Sequence, residues 1–480
     1  MTAKSVTVMG GGVAGLSAAL VLARHGLRVT VVERDGFELG PAPAAPGWQR
    51  KGIPHFLQPH AFIPRGRLEL REQLADVYAT LLDVGAHEVD LRRKLPGSAT
   101  PEDADLQYLA VRRPIIEWAL RRAVYAEARV EVRPRHQIQG FRVAGGRVTG
   151  LLVDGSEMLT DLVVDALGRR TPVAGWLSEA GIVTPPAQTS NCGVTYYSRY
   201  YRQRPGFELP DGPWFLSPRG DLGYFGYASF PGDNRTFAAV LAVPPGIREW
   251  KVFRDAAAFE AAIARIPGLR QWVDPDGVDP ITAVLPMAGL RNSLASYDGM
   301  PVVGMFRVGD AICHTDPTLA HGLAFALIHA RQLGIALTEH KDPGDAAEAY
   351  LAATLPALRE RYEFATALDA QRRRLWLGEP VDFAHRDGDY ALFSMSAAAA
   401  AATIDPDIFR AFNRRIGLLD STAVLDDNTD LQRRIENHFL HLAATPRPPV
   451  GPPRDEMLAI GSVTAVAAES AEGRREVVPG

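Results

Sequence analysis

Residues 5–33 leave this chain few ways to fold. Ser5–Met9, SVTVM, is a short apolar run that stops at Gly10-Gly11-Gly12-Val13-Ala14-Gly15. Val13, Leu16, Leu20 and Ala23 then recur at helical spacing as far as Gly26, and Arg28–Val32 reads as a second strand ending in Glu33. This is GxGxxG in a strand–turn–helix–strand setting, with an acid 18 residues beyond the last glycine. Gly10 permits the tight turn, Gly12 lets a pyrophosphate approach the backbone, and Gly15 lets the helix pack closely on the sheet. The helix start offers unpaired N–H groups and a positive dipole end to phosphate, and Glu33, flanked by Arg34, can accept the hydroxyl hydrogens of an adenosine ribose. The unit predicts a dinucleotide-binding domain. NAD and FAD both place an adenosine ribose on such an acid, so these residues alone leave that choice open.

Two later segments favour the flavin. Asp161–Thr171, DLVVDALGRRT, reads as a strand running into Asp165, Gly168 and a basic turn. Pro301–Leu323, PVVGMFRVGDAICHTDPTLAHGL, carries a strand ending in Gly309-Asp310, then Pro317, then Gly322 near the start of an apolar helix. A carboxylate at a strand end beside a glycine suits ribityl hydroxyls. The helix near Pro317 would aim its positive end at the ring and stabilise the anion of reduced flavin.

Together the first βαβ unit, Asp165-x-x-Gly168 and Gly309-Asp310 resemble the three fingerprints of FAD-dependent aromatic hydroxylases, the para-hydroxybenzoate-hydroxylase-like class A flavoprotein monooxygenases. Val111–Leu120, VRRPIIEWAL, is similar to that family's Arg-x-x-Leu-Glu helix start. The resemblance covers about residues 1–185 and 295–340. It implies that Gly10, Gly12 and Gly15 face the pyrophosphate, Glu33 the ribose, and Arg113 the phosphate region. It also implies that Asp310 binds the ribityl chain, and that Pro317 and the backbone around Gly322 border the isoalloxazine. Asp165 and Gly168 fall on the motif that the family associates with both FAD and NAD(P)H. GDAICHTDP has local similarity to flavin halogenases and geranylgeranyl-reductase-like proteins as well. The halogenase Trp-x-Trp-x-Ile-Pro motif is absent, because the seven tryptophans never fall two apart.

Residues 190–230 hold 11 aromatic side chains, where the chain-wide 8% would place about three. Gly223–Phe230, a Pro231–Asn234 turn and Arg235–Val243 read as strand, turn, strand. An antiparallel aromatic sheet is what the resembling family uses to roof its substrate. Tyr196, Phe215, Tyr224 and Tyr227 are the candidate pocket residues, with Met287 a further wall. His60, in the loop KGIPHFLQPHAFIPRGR, is the candidate for moving a proton, ahead of His55.

The composition is that of a soluble globular protein, 46% hydrophobic and 22% charged. Its 52 basic and 56 acidic side chains give a net charge of −4, which argues against a nucleic-acid partner. Two cysteines, Cys192 and Cys313, exclude a disulfide framework, and no metal site is expected. Residues 1–9 show no apolar signal core, and Leu319–Leu337 is interrupted by His321, His329, Arg331 and Gln332, so neither a signal peptide nor a membrane span is expected. A reducing cytoplasm is the expected home.

The expected architecture is α/β. A Rossmann-like FAD-binding domain of the GR2 type spans 1–185, with a possible excursion near 75–105, and resumes at 291–342. An antiparallel β-sheet substrate domain occupies 186–290, a helical C-terminal region 343–444, and a Pro-rich linker with a mobile tail 445–480. The resemblance implies a monooxygenase of secondary metabolism that hydroxylates or epoxidises a bulky, partly hydrophobic molecule with O2 through a flavin C4a-hydroperoxide. Electrons would come from NADPH or NADH, or as reduced flavin from a partner reductase. A double-bond reductase or a halogenase is the alternative.

Overall fold

The computed structural model describes residues 5–42, 48, 50, 52–211, 218–296, 302–445 and 451–460. Strands covered on both faces read as near-continuous apolar runs, and β1 (Ser5–Met9) and β2 (Arg28–Glu33) follow this, with Val6, Val8, Met9, Val29, Val31 and Val32 all buried and only Thr7 and Glu33 as buried polar side chains. The Ala- and Leu-rich α1 (Val13–Arg24) connects them. α2 (Arg113–Ala126) leads into β3 (Val130–Pro134), and β4 (Leu162–Asp165) follows.

The chain then leaves for an antiparallel sheet made of β5 (Thr195–Gln203), β6 (Arg219–Asp221), β7 (Gly226–Pro231), β8 (Thr236–Val243), β9 (Val278–Pro280) and β10 (Leu285–Met287). It returns as β11 (Met305–Arg307), completing a parallel sheet in the order β11-β4-β1-β2-β3. The fold is therefore the expected Rossmann-like α/β core with an inserted antiparallel sheet.

Side-chain parity gives the antiparallel sheet two different faces. Tyr197 and Tyr201, with Tyr227, Phe237 and Leu241, pack outward against Trp250, Phe253 and the helix Ala256–Arg265. Tyr196 and Ser198 point inward, where their hydroxyls donate to Asp316 at 2.6 Å and to the Gln58 side chain at 2.8 Å. The register Arg219↔Ala228↔Val240 places Arg219, Ala228 and Phe230 on that same inner face.

Four long helices close the molecule: α3 (His321–Glu339), α4 (Pro343–Trp376), α5 (Pro406–Ile416) and α6 (Thr429–Ala444). α3 lies along α1. The later helices sit on the excursion near 75–105, where Val89, Leu91, Leu106 and Tyr108 share one core with Phe393, Ile408, Phe412 and Ile435. Arg410 ties the two parts together through Asp103 at 2.9 Å.

The proline-rich composition beyond Thr445 predicts a mobile tail, and here the structure corrects the expectation. Residues 451–460 return to the outer face of the antiparallel sheet, burying Met457 and Ile460 in its aromatic cluster. Leu458 packs against the same cluster, and the Tyr224 hydroxyl donates to the Pro452 carbonyl at 2.6 Å. The rest of the predicted tail lies outside the described residues. Among the described residues no helix is long and apolar enough to cross a membrane.

Candidate active site

The glycine turn forms an anion cradle. Gly10 takes φ +99°, and α1 begins after Gly12 with no side chain capping its first turn. A Cβ on Gly15 would stand 1.9 Å from the Gly10 carbonyl oxygen, so helix and strand meet only because that residue is glycine. At Gly12 the nearest atoms to such a Cβ are Arg113 Nη2 and Ile53 Cδ1, both at 3.9 Å. The space beside Gly12 is thus open and faces a guanidinium, as a pyrophosphate requires.

Glu33 ends β2 and accepts from the Gly11 amide at 2.7 Å and the Asp35 amide at 2.8 Å. Arg50 Nη2 lies 2.6 Å from the same carboxylate. Burial alone would raise the Glu33 pKa, but Arg50 and the two amides outweigh it and hold the acid ionised. Arg50 also meets Glu117 at 2.7 Å and Asp35 at 3.1 Å. Nothing around Arg50 marks it in sequence, because its three carboxylate partners come from two separate segments, Glu33 with Asp35 and Glu117. Arg34 is exposed, with its guanidinium against Gly52.

Arg113 opens α2, braced by Glu117 at 2.8 Å, and its Nη1 lies 2.9 Å from His55 Nε2. His55 and His60 follow, with ring centroids 5.9 Å apart. His60 Nδ1 lies 2.7 Å from the Gln58 carbonyl oxygen, and burial together with Arg113 pushes its pKa down to about 3. A neutral His60 therefore stands near Arg113 and Arg169, and His55 is the one that touches Arg113.

Asp310 follows Gly309, whose φ of +59° and approach to Ala14 (2.7 Å from a built Cβ) press this turn onto α1. Arg169 Nε meets the Asp310 carboxylate at 3.0 Å, and a Cβ on Gly322 would lie 3.6 Å from Asp310 Oδ1. The glycine turn, Arg113, Gly309, Asp310 and Gly322 thus gather around the start of α1. Asp165 does not join them. Its carboxyl is fully buried and accepts from the Thr171 hydroxyl at 2.8 Å and the Leu167 amide at 3.0 Å, so it braces the turn that carries Gly168 at φ +76°.

The segment Asp316–Ala320 is held from three sides. Asp316 caps the Thr318 amide at 2.9 Å and receives the Tyr196 hydroxyl at 2.6 Å and Arg372 Nη2 at 2.6 Å. Its own amide donates to Asn292 Oδ1 at 2.7 Å. Asp369 completes the group, accepting from Arg372 at 2.7 Å and from Asn292 at 2.8 Å. Burial and the Asp316 charge push Asp369 up to about 9 against the pull of Arg372, whereas Arg372 draws Asp316 down despite its burial. Ala320, just before α3, adopts φ +56°, a left-handed conformation that costs a non-glycine residue about 1 kcal/mol or more. Pro317 opens this segment.

A cavity of about 100 Å³ lies between this segment, the inner face of the antiparallel sheet and the helices α4 and α5. Phe230, Leu319, Phe364 and Met395 form much of its apolar wall. Parity corrects two of the residues expected from the sequence: Tyr224 and Tyr227 face the outer aromatic cluster. Tyr196 and its pairing partner Met287 stay on the inner face, but Tyr196 gives its hydroxyl to Asp316 rather than to the cavity. Phe215 lies outside the described residues. Phe230 could have been found from the strand–turn–strand reading, but Phe364 and Met395 carry no sequence signal.

These features define a flavin-binding oxidoreductase fold. Residues 5–113 match the family described as FAD dependent oxidoreductase. Solved structures of FAD-dependent monooxygenases share the architecture. PqsL of Pseudomonas aeruginosa, described as a probable FAD-dependent monooxygenase, superposes at TM-score 0.56 with 17% identity, over 78% of this chain and 99% of that one. The flavin-dependent brominase Bmp2 gives 0.58 with 17% identity, over 92% and 98%. Among curated proteins, Protein Rv3254 of Mycobacterium tuberculosis is 30% identical over 225 residues, which is 43% of this chain and 45% of that protein. The match therefore spans less than half of that relative's length.

Proposed function

We propose that this chain is an FAD-dependent monooxygenase that places one oxygen atom of O2 into a partly hydrophobic organic substrate, by hydroxylation or epoxidation. The observation that carries the reading is the cavity enclosed by Asp316–Ala320, the aromatic sheet and α4–α5. The fold class and the open cradle at Gly12 fit FAD. Bound FAD would supply the reductive activation of O2.

The chain's own residues do the remaining work. Gly12, the α1 start and Arg113 hold the phosphates, Glu33 the adenosine ribose and Asp310 the ribityl chain. The Asp316–Arg372–Asp369 group keeps the backbone of Pro317–Ala320 fixed against the cavity. Phe230, Leu319, Phe364 and Met395 exclude water and orient the substrate carbon. His60, neutral through burial, can relay a proton at its ring nitrogen. Electrons arrive from NADPH or NADH, or as reduced flavin from a partner reductase, in a reducing cytoplasm.

The brominase match reaches 92% of this chain, and this favours halogenation as the second reading. Rapid mixing of anaerobically reduced holo-protein with oxygenated buffer tests both. A transient absorbing between the reduced and oxidised flavin is expected. Slow reoxidation without a transient overturns the monooxygenase reading and points to a double-bond reductase. Product that forms only when bromide or chloride is added moves the assignment to the halogenases.

A further inference from the structure

His329 interrupts the apolar run Leu319–Leu337 at a position inside the core, where a polar ring needs a partner. The side chain is 1% exposed, lies nearly parallel to Phe325 at 5.9 Å between ring centroids, and stands across Tyr350 at 6.4 Å. The partner is the backbone bend that follows β11. Val308 still donates to the Asp165 carbonyl at 3.0 Å, as the parallel pairing with β4 requires. At Gly309 the backbone turns to φ +59°, and its amide donates to His329 Nδ1 at 2.9 Å instead of to a strand carbonyl. An amide can only donate, so Nδ1 carries the lone pair and the ring proton sits on Nε2. Burial holds the ring neutral, with a pKa of about 3, although the Asp310 charge pulls the other way. On the strand side of the bend the Tyr350 hydroxyl donates to the Arg307 carbonyl at 2.7 Å. α3 and α4 thus grip the backbone on either side of Val308, while Ala14 of α1 closes the side of Gly309 where a Cβ would stand. Asp310 is the next residue, so this bend sets the direction of its carboxylate.

We propose that His329, through its Nδ1 acceptor, positions the Gly309-Asp310 bend so that the Asp310 carboxylate meets the ribityl chain of FAD. An apolar ring at 329 would fill the same space but would leave the Gly309 amide buried and unpaired, which costs more than the bond contributes when made. The amide would regain a partner only by rotation of the bend, and Asp310 would rotate with it. The Arg169 contact at 3.0 Å cannot substitute, because it holds the Asp310 side chain through a guanidinium that is 28% exposed and leaves the backbone free. His329 acts through the bend and is a positioning residue. This rests on the reading of Asp310 as the ribityl acid.

The test compares FAD with ADP, because ADP offers a pyrophosphate and an adenosine ribose but no ribityl chain. Both are titrated by calorimetry and fluorescence quenching into flavin-free full-length protein: wild type, H329F, D310N and the double variant. H329F is expected to weaken FAD about tenfold and to leave ADP within about twofold of wild type. In the D310N background the same substitution is expected to add less than about threefold, because the acid it orients has been neutralised. H329N, whose side-chain oxygen can stand where Nδ1 stood, is expected to recover most of the FAD affinity, whereas H329Q, whose amide reaches one carbon further, is not. Equal losses for FAD and ADP, additive losses in the double variant, or wild-type FAD affinity in H329F overturns the proposal. Should H329F fail to fold, H329N against H329Q decides it, and equal FAD affinity in those two overturns it. Wild-type FAD affinity in D310N removes the ribityl reading of Asp310 and the role of His329 with it. A weakened D310N beside an unchanged H329F removes the role of His329 alone.

Discussion

Replacing Asp369 by asparagine separates a buried proton from a buried charge. Asp369 is 1% exposed, receives hydrogen bonds from Arg372 and Asn292, and faces the ionised Asp316. Burial and the neighbouring Asp316 raise its pKa to about 9 in the native protein. In the unfolded chain an aspartate titrates near 3.9, so between pH 6 and 8 the native state holds one proton that the unfolded state has lost, and stability falls as pH rises. The slope from this one group is negative and on the order of 1 kcal/mol per pH unit wherever the native state keeps the proton that the unfolded state has lost. Asp316, drawn down to about 2, stays ionised in both states over that window and adds no slope. The amide that D369N introduces is neutral at every pH, and it can donate to Asp316 as the protonated acid does. Urea unfolding of wild type and D369N at pH 6, 7 and 8 should therefore show the variant losing less stability across the range, by a few kcal/mol at most, histidine contributions cancelling in the difference. A difference infrared spectrum should also lose a protonated-carboxyl band in D369N. Parallel stability profiles, or a steeper one for the variant, would refute the placement of the proton on Asp369.

The other predictions concern the cofactor residues and their support. In E33Q the Gly11 amide and Arg50 lose their anionic acceptor, so FAD affinity should fall about tenfold or more, and unchanged flavin retention on gel filtration would count against Glu33 as the ribose acid. G15A puts a methyl group 1.9 Å from the Gly10 carbonyl and should yield no flavin-loaded protein. G26A has open space but φ +91°, so it should cost only about 1 kcal/mol in thermal or chemical unfolding. Y196F removes the 2.6 Å hydrogen bond to Asp316 and should destabilise the protein by about 1 kcal/mol, while Arg372 still holds that carboxylate.

What could be read in the sequence was local or nearly so. The turn at Gly10, Gly12 and Gly15 and the acid at Glu33 lie within one βαβ unit, where each residue's task follows from backbone geometry over a few neighbours. The same holds for Gly309-Asp310, whose strand end and following helix are contiguous in the chain. Aromatic density announced the antiparallel sheet but could not say which rings face inward. That depends on register, and a shift of one residue exchanges the two faces. Tyr196 and Tyr197 are sequence neighbours, yet one meets Asp316 and the other packs on Phe253. Only the tertiary structure brought Arg50 to Glu33, Arg372 to Asp316 and Arg219 to the cavity shared with Arg415, across separations of 17, 56 and 196 residues respectively. A side chain's charge partner is set by where its whole element docks. For that reason the glycine turn and the Gly309-Asp310 turn are legible from the amino-acid order, whereas the cavity and its charge belong to the packing of sheet against helices.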